Sequence, residues 1–233
     1  MYCLKHSINN KSSNNRSSWD DYWGNHFGSK RTRKIIHFLR TKLNAKAVAY
    51  FAKRYFQGNG IFVEMGSGSS QTSVLIPKES RLLFSYDFVF EPLTQAKELS
   101  NIEGGVQGDL LYLPFCDNSI NGIWNMGVME HFTNNELDVI FDEFSRVLKA
   151  DAYAILFWPT LIGWYKAGSI VIETILRVVL RRKVKLYPDE INLFRSKKKI
   201  EYYCKKNRFV LEKCSRNYLD AFNHMVIIIR KCQ

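Results

Sequence analysis

Two glycines spaced two apart, Gly66 and Gly68, follow the short run Ile-Phe-Val-Glu-Met at residues 61–65, which has an apolar majority. Glycine has no Cβ, so it permits a tight turn and lets the backbone approach a ligand closely. Asp87 stands nineteen residues past Gly68, and Asp109 stands further on, each closing another stretch that reads as a strand. A carboxylate in the position of Asp87 can accept two hydrogen bonds from the hydroxyls of an adenosine ribose. Each such charge-assisted bond contributes about 1.5–3 kcal/mol. Asp109, at the next strand end, is placed to meet the edge of the adenine ring. The chemistry on offer is recognition of a nucleoside-containing cofactor at one edge of a sheet.

The elements that must position these residues can be read in outline. Residues 61–65 are too short for a helix and precede glycines, so they read as a buried strand. Further strands are expected at 81–87, 104–110, 120–125 and 153–158, with closing strands at 209–212 and 225–230. Helices are expected over 30–56 with an interruption near Asn44, from the glycine turn to about Ile76, over 92–99 and over 134–149. The last is the most amphipathic, with Leu137, Ile140, Phe141, Phe144, Val147 and Leu148 along one side. Asn134 or Asn135 is the expected cap. Strands alternating with helices imply an α/β domain, a parallel sheet covered on both faces. Residues 1–18, polar and rich in Asn and Ser, are expected to be a disordered tail. Residues 19–233 then form a single domain, with an N-terminal helical cap at 19–57 and an insertion or lid at 160–203.

The chain has 233 residues, a net charge of +12 and 46% hydrophobic residues, enough for one large α/β domain. Its five cysteines are scattered and never paired as C-x-x-C, which argues against a disulfide framework and a zinc site and for a reducing cytoplasm. His6, His26, His37 and His224 form no metal spacing either. The positive charge attracts anionic partners without choosing among nucleic acid, membrane surface and acidic substrate.

In the order of these elements the sequence resembles the class I S-adenosylmethionine-dependent methyltransferases, over about residues 61–158. The nearest group by resemblance is the small-molecule branch that includes ubiquinone-biosynthesis-like enzymes. The resemblance implies a Rossmann-like fold: a seven-stranded, mostly parallel sheet with an antiparallel last strand and helices on both faces. It also implies S-adenosylmethionine as cofactor. Val63-Glu64-Met65-Gly66-Ser67-Gly68 is similar to the acidic-x-Gly-x-Gly signature that holds the methionine part, which implies roles for Glu64, Gly66, Ser67 and Gly68. Asp87 resembles the ribose-binding acid, and Gly108-Asp109-Leu110 with Leu113-Pro114-Phe115 resembles the segment around the adenine. Residues 125–132, from Asn125 and Met126 through Glu130-His131-Phe132, resemble the fourth-strand motif that ends beneath the sulfonium. Phe144-Ser145-Arg146-Val147-Leu148-Lys149 resembles the helix before the fifth strand. The chain departs from the pattern at Ser70, where a third glycine is common, at Asn121, where Asp is usual, and at Ala150-Asp151-Ala152, where Pro-Gly-Gly is usual. A dinucleotide fingerprint fits less well, because Gln71 stands where it needs a glycine.

The resemblance implies methyl transfer to a small-molecule or lipid-like acceptor. The cofactor methyl is already activated, so the protein chiefly has to align the acceptor. His131 is the nearest candidate for a general base where the acceptor must lose a proton. The basic region within residues 170–185 could rest on a membrane surface. A nucleic-acid (RNA) methyltransferase is the alternative and is not favoured: the sequence after the fourth strand, Asn125-Met126-Gly127, lacks the Pro-Pro-aromatic run that holds a base. A noncatalytic S-adenosylmethionine-binding module is a third reading. No metal is expected, and the sequence does not set the oligomeric state.

Overall fold

The computed structural model describes Trp19 and residues 37–160, 190–220 and 223–233. Seven strands form one sheet: β1 (Gly60–Met65), β2 (Arg81–Asp87), β3 (Gly104–Gln107), β4 (Ile120–Met126), β5 (Leu148–Pro159), β6 (Phe209–Arg216) and β7 (His224–Lys231). Their spatial order is β3-β2-β1-β4-β5-β7-β6. The pairs among β1 to β5 are parallel, and β7 runs antiparallel to both β5 and β6. This is the Rossmann-like class I methyltransferase sheet. The direction of chain progression reverses between β1 and β4. Carboxyl ends of strands flanking such a reversal splay their connections apart and leave a ligand crevice.

Strand alternation divides the core between the two faces of the sheet. On one face, Val63, Met65, Ile123, Leu156 and Ile229 pack under α3 (Asn134–Val147) and α4 (Lys197–Lys206). On the other, Phe62, Leu83, Trp124, Ile155 and Ile228 pack under α1 (Ala45–Tyr55) through Val48, Phe51 and Ala52, and α2 (Phe90–Leu99) connects β2 to β3. Full burial of each such large apolar side chain stabilises the fold by about 1.5–3 kcal/mol. Helix α4 belongs to this core, because Ile200, Tyr203 and Cys204 are buried in it and Tyr203 stacks on Phe141 at 4.7 Å.

Several boundaries differ from the sequence expectation. The stretch after the glycine turn forms only a 3-10 turn, Gln71–Ser73, because Ser70 enters it in a left-handed conformation (φ 51°). Strand β3 stops at Gln107, leaving Asp109 in the loop beyond it. The start of α3 is capped by Thr133 rather than Asn134 or Asn135: its side chain accepts from the Glu136 N–H while Glu136 reaches back to the Thr133 N–H. Strand β5 begins at Leu148, and Asp151 within it is left-handed (φ 60°). The interruption expected near Asn44 is a π-helical stretch, Leu39–Asn44, leading into α1. The tail 1–18, the aromatic stretch after Trp19 and the apolar–basic helix expected around residues 170–185 lie outside the described residues.

Candidate cofactor site at the first strand

The chain leaves β1 through Gly66 (φ 68°) and Gly68 (φ 51°), both in the region that favours glycine. A Cβ added at Gly66 would lie 2.7 Å from Val128, so the turn is also packed too closely for a side chain. The N–H groups of Gly66 and Ser67 both donate to the Tyr86 carbonyl, at 2.8 and 3.1 Å, folding the turn onto the end of β2. The N–H of Gly68 donates to Asp87 Oδ2 at 2.7 Å, and the Val89 N–H donates to Oδ1 at 2.9 Å. Burial pushes the Asp87 carboxyl upward, against backbone bonds from Val89, Gly68 and Phe88 that hold it down. Each carboxylate oxygen keeps a further lone pair, so two donated hydroxyl bonds remain available.

Glu64 lies inside the sheet beneath the turn. Its two carboxylate oxygens accept from Thr72 Oγ1 and Ser73 Oγ, each at 2.7 Å, and Ser73 Oγ also accepts from Trp124 Nε1 at 3.1 Å. Burial raises the Glu64 pKa despite these bonds. The carboxylate therefore fastens the 3-10 turn to β1 from below, while Ser70 and Ser85 share a 2.5 Å hydroxyl bond beside it.

Asp109 ends its chain reversal with Oδ1 accepting from the Leu111 N–H at 2.9 Å, and its carbonyl accepts from the Tyr86 hydroxyl at 2.8 Å. Leu110 is buried against the sheet. Arg146 holds the following segment by donating to the carbonyls of Leu113 and Phe115, at 2.9 and 2.8 Å, and to Glu143 and Asp117. Tyr86 and Arg146 were not singled out from the sequence as site residues. For Tyr86, the buried strand run before Asp87 was a signal for packing alone.

Asn125, near the end of β4, is fully buried, and neither its amide nitrogen nor its oxygen has a hydrogen-bond partner among the described residues. An orphaned amide costs about 1–3 kcal/mol, so its place in the strand next to β1 fits a polar ligand in the crevice. Met126 follows, half-buried, and Gly127 (φ 70°) turns the chain into the short 3-10 turn Met129–His131. His131 is 7% exposed; the Trp19 ring meets it edge-on at 4.9 Å, and its Nε2 is 3.5 Å from Glu130 Oε1. The segment after the undescribed stretch closes over this turn: the N–H groups of Ile191 and Asn192 donate to the Glu130 carbonyl at 2.9 and 2.8 Å. The fold thus brings Glu64, the Gly66–Gly68 turn, Asp87, Asp109, Leu110, Asn125, Met126 and His131 to the carboxyl edge of β1, β2, β3 and β4. Among the described residues no cluster of His, Cys, Asp and Glu is arranged to hold a metal, and no helix is long and apolar enough to cross a membrane.

Comparison with known proteins agrees with this geometry. Residues 63–156 match the methyltransferase domain family. No relative of curated function matches the chain by sequence. Among solved structures, the chain resembles a S-adenosylmethionine-dependent methyltransferase from Methanosarcina mazei at TM-score 0.56 and 17% identity, covering 78% of this chain and 97% of that one. A putative S-adenosylmethionine-dependent methyltransferase from Methanococcus maripaludis gives TM-score 0.60 at 17% identity over 98% of both chains. The magnesium protoporphyrin IX methyltransferase of Synechocystis PCC 6803, solved with S-adenosylhomocysteine, gives 0.57 at 13% identity over 95% of both. Residues 63–156 thus carry a methyltransferase domain match within a chain that has the class I methyltransferase fold, and both support an S-adenosylmethionine-dependent methyltransferase.

Proposed function

We propose that this methyltransferase acts on a small-molecule or lipid-like acceptor seated over the carboxyl ends of β4 and β5. The observation that carries this reading is the enclosure of His131, covered by the Trp19 ring and backed by a segment bonded to the Glu130 carbonyl. A buried, aromatic-walled position suits a compact acceptor better than a nucleic-acid backbone tracking an open surface. The Synechocystis relative named above, which acts on a porphyrin, is a small-molecule enzyme of the same fold.

In this reading the Gly66, Ser67 and Gly68 backbone receives the methionine end of the cofactor, Asp87 accepts from the ribose hydroxyls, and Asp109 with Leu110 borders the adenine. Asn125 and Met126 lie beneath the sulfonium, which supplies an activated methyl group. Glu64 acts through Thr72 and Ser73 by holding the turn. His131 takes a proton from acceptors that must lose one, its ring oriented by Trp19 and Glu130. The scattered free thiols of Cys116, Cys204, Cys214 and Cys232 fit a reducing cytoplasm.

The test is transfer of labelled methyl from S-adenosylmethionine into a cell extract separated into small-molecule, lipid, RNA and protein fractions. Label in the first two supports the proposal; label in RNA alone replaces it with the nucleic-acid reading. No label in any fraction, with cofactor still bound, leaves a noncatalytic binding module. For His131→Ala, the predicted result is loss of rate, and of the rise in rate with pH that a general base gives, with cofactor affinity kept.

A further inference from the structure

A groove of about 670 Å³ opens beside the His131 turn, lined by Phe132, Asn192, Arg195, Lys199 and Tyr202 among others. Its walls differ. Phe132, Ile191 and Tyr202 offer apolar surface, whereas Arg195 and Lys199 bring two positive charges to one side. The starts of α3 and α4 both border it, through Thr133 and Asn134 for one and Arg195, before the Ser196 cap, for the other. A helix start carries the positive end of its dipole.

The cations are not neutralised from within. Arg195 makes no ion pair among the described residues. Lys199 is held over the rings of Trp158 and Tyr203, at 5.6 and 5.9 Å, and donates to Asn192 Oδ1, a neutral acceptor. Burial, and then repulsion from Arg195, lower its pKa. One carboxylate, Asp138, also lines the groove and is paired with Lys206 at 3.1 Å; Glu201 pairs with Lys197 at 3.3 Å, and Glu136 bonds the Thr133 cap. Two like charges at the rim of one cavity are a standing cost that a dianion would remove.

We propose that this groove binds the phosphate group of an amphiphilic organic phosphate, with the apolar part of that molecule lying along Phe132 and Ile191. The arrangement links the groove to the reaction. Asn192 donates to the Phe132 carbonyl at 3.0 Å and, with Ile191, to the Glu130 carbonyl, so the groove begins one residue from His131. A phosphate held by Arg195 and Lys199 leaves the rest of its molecule directed at the acceptor position. This assignment rests on the small-molecule reading above and gives the acceptor an anionic end.

Binding alone tests it, without any methyl transfer. Decyl phosphate, kept below its micelle concentration, and phosphatidylglycerol vesicles are titrated into the full chain, with Arg195→Gln and Lys199→Gln alongside. Decyl phosphate should bind the wild type, and each variant should weaken it at least tenfold while S-adenosylhomocysteine affinity stays within twofold, which also shows that the variants fold. Vesicle binding that is lost in both variants and competed by decyl phosphate assigns the same groove to a lipid headgroup. Equal binding of decyl phosphate by wild type and variants overturns the site and leaves only diffuse attraction to a chain of charge +12. No binding of either probe overturns it too. If the groove fails this test, the methyl-labelling result still stands by itself, and the reverse holds as well.

Discussion

The backbone N–H of Gly68 donates to Oδ2 of Asp87 across 2.7 Å, tying the turn after β1 to the end of β2. One carboxylate therefore fixes the turn and faces the crevice that the turn borders. For Asp87→Ala the expected result is at least a tenfold loss of S-adenosylhomocysteine affinity, or ~1.4 kcal/mol, by calorimetric titration. Asp87→Asn keeps one acceptor oxygen and should fall between. An Asp87→Ala chain that binds normally would remove the ribose role.

Gly66 is constrained twice, by its φ of 68° and by Val128 2.7 Å from the missing Cβ. Left-handed backbone costs an L residue about 1–2 kcal/mol before any clash. Gly66→Ala should lower the unfolding free energy measured in urea by more than this, and Gly66→Ala with Val128→Ala should relieve the clash and leave the backbone cost. A double variant no better than the sum of the two single ones would show that Val128 is not the obstacle.

Burial raises the Glu64 pKa, so the native state keeps that proton to higher pH than the unfolded chain does. Its stabilising contribution is full below the ordinary glutamate value of about 4.3 and is lost as pH rises through the raised native value. Glu64→Gln cannot ionise. Relative to the wild type, its urea midpoint should rise as pH increases across that window. Parallel curves from acid to neutral pH would refute the linkage.

Arg146 spans two loop carbonyls and two carboxylates with one guanidinium. Its side chain is one-quarter exposed, which limits the loss expected for Arg146→Ala to about 1–3 kcal/mol. Arg146→Lys should recover little, because an ammonium cannot reach the same fork of partners. Full recovery by lysine would mean that charge, not geometry, holds the 113–117 segment.

The parts of the fold that could be read from sequence were those set by local pattern. Residues 61–65 and 81–87 are bounded by glycines or an aspartate, and both became strands at nearly those limits. The cap of α3 is equally legible in Thr133-x-x-Glu136, beside two asparagines that are also good capping residues. Where tertiary contacts decide, the pattern ran out. Gly108 donates to the Asp87 carbonyl and the chain reverses at Asp109, so β3 ends before the residues that appeared to close it. The bonds from Ile191 and Asn192 to Glu130 join positions some sixty residues apart and leave no trace in spacing. Asp220, in the loop before β7, and His224, the first residue of β7, are 2.6 Å apart and four residues apart in sequence, a spacing that can be read from the chain alone.

Ser70 and Asp151 both adopt left-handed backbone, at φ 51° and 60°, in the region that favours glycine. Neither side chain is idle: Ser70 shares its hydroxyl bond with Ser85 on β2, and Asp151 pairs with Arg230 on β7 at 2.7 Å. Glycine at these points is thus exchangeable for an L residue that can bond to a neighbouring strand. A recognition pattern written as glycine alone would pass over such chains, whereas one that scores each position jointly with its cross-strand partner would retain them.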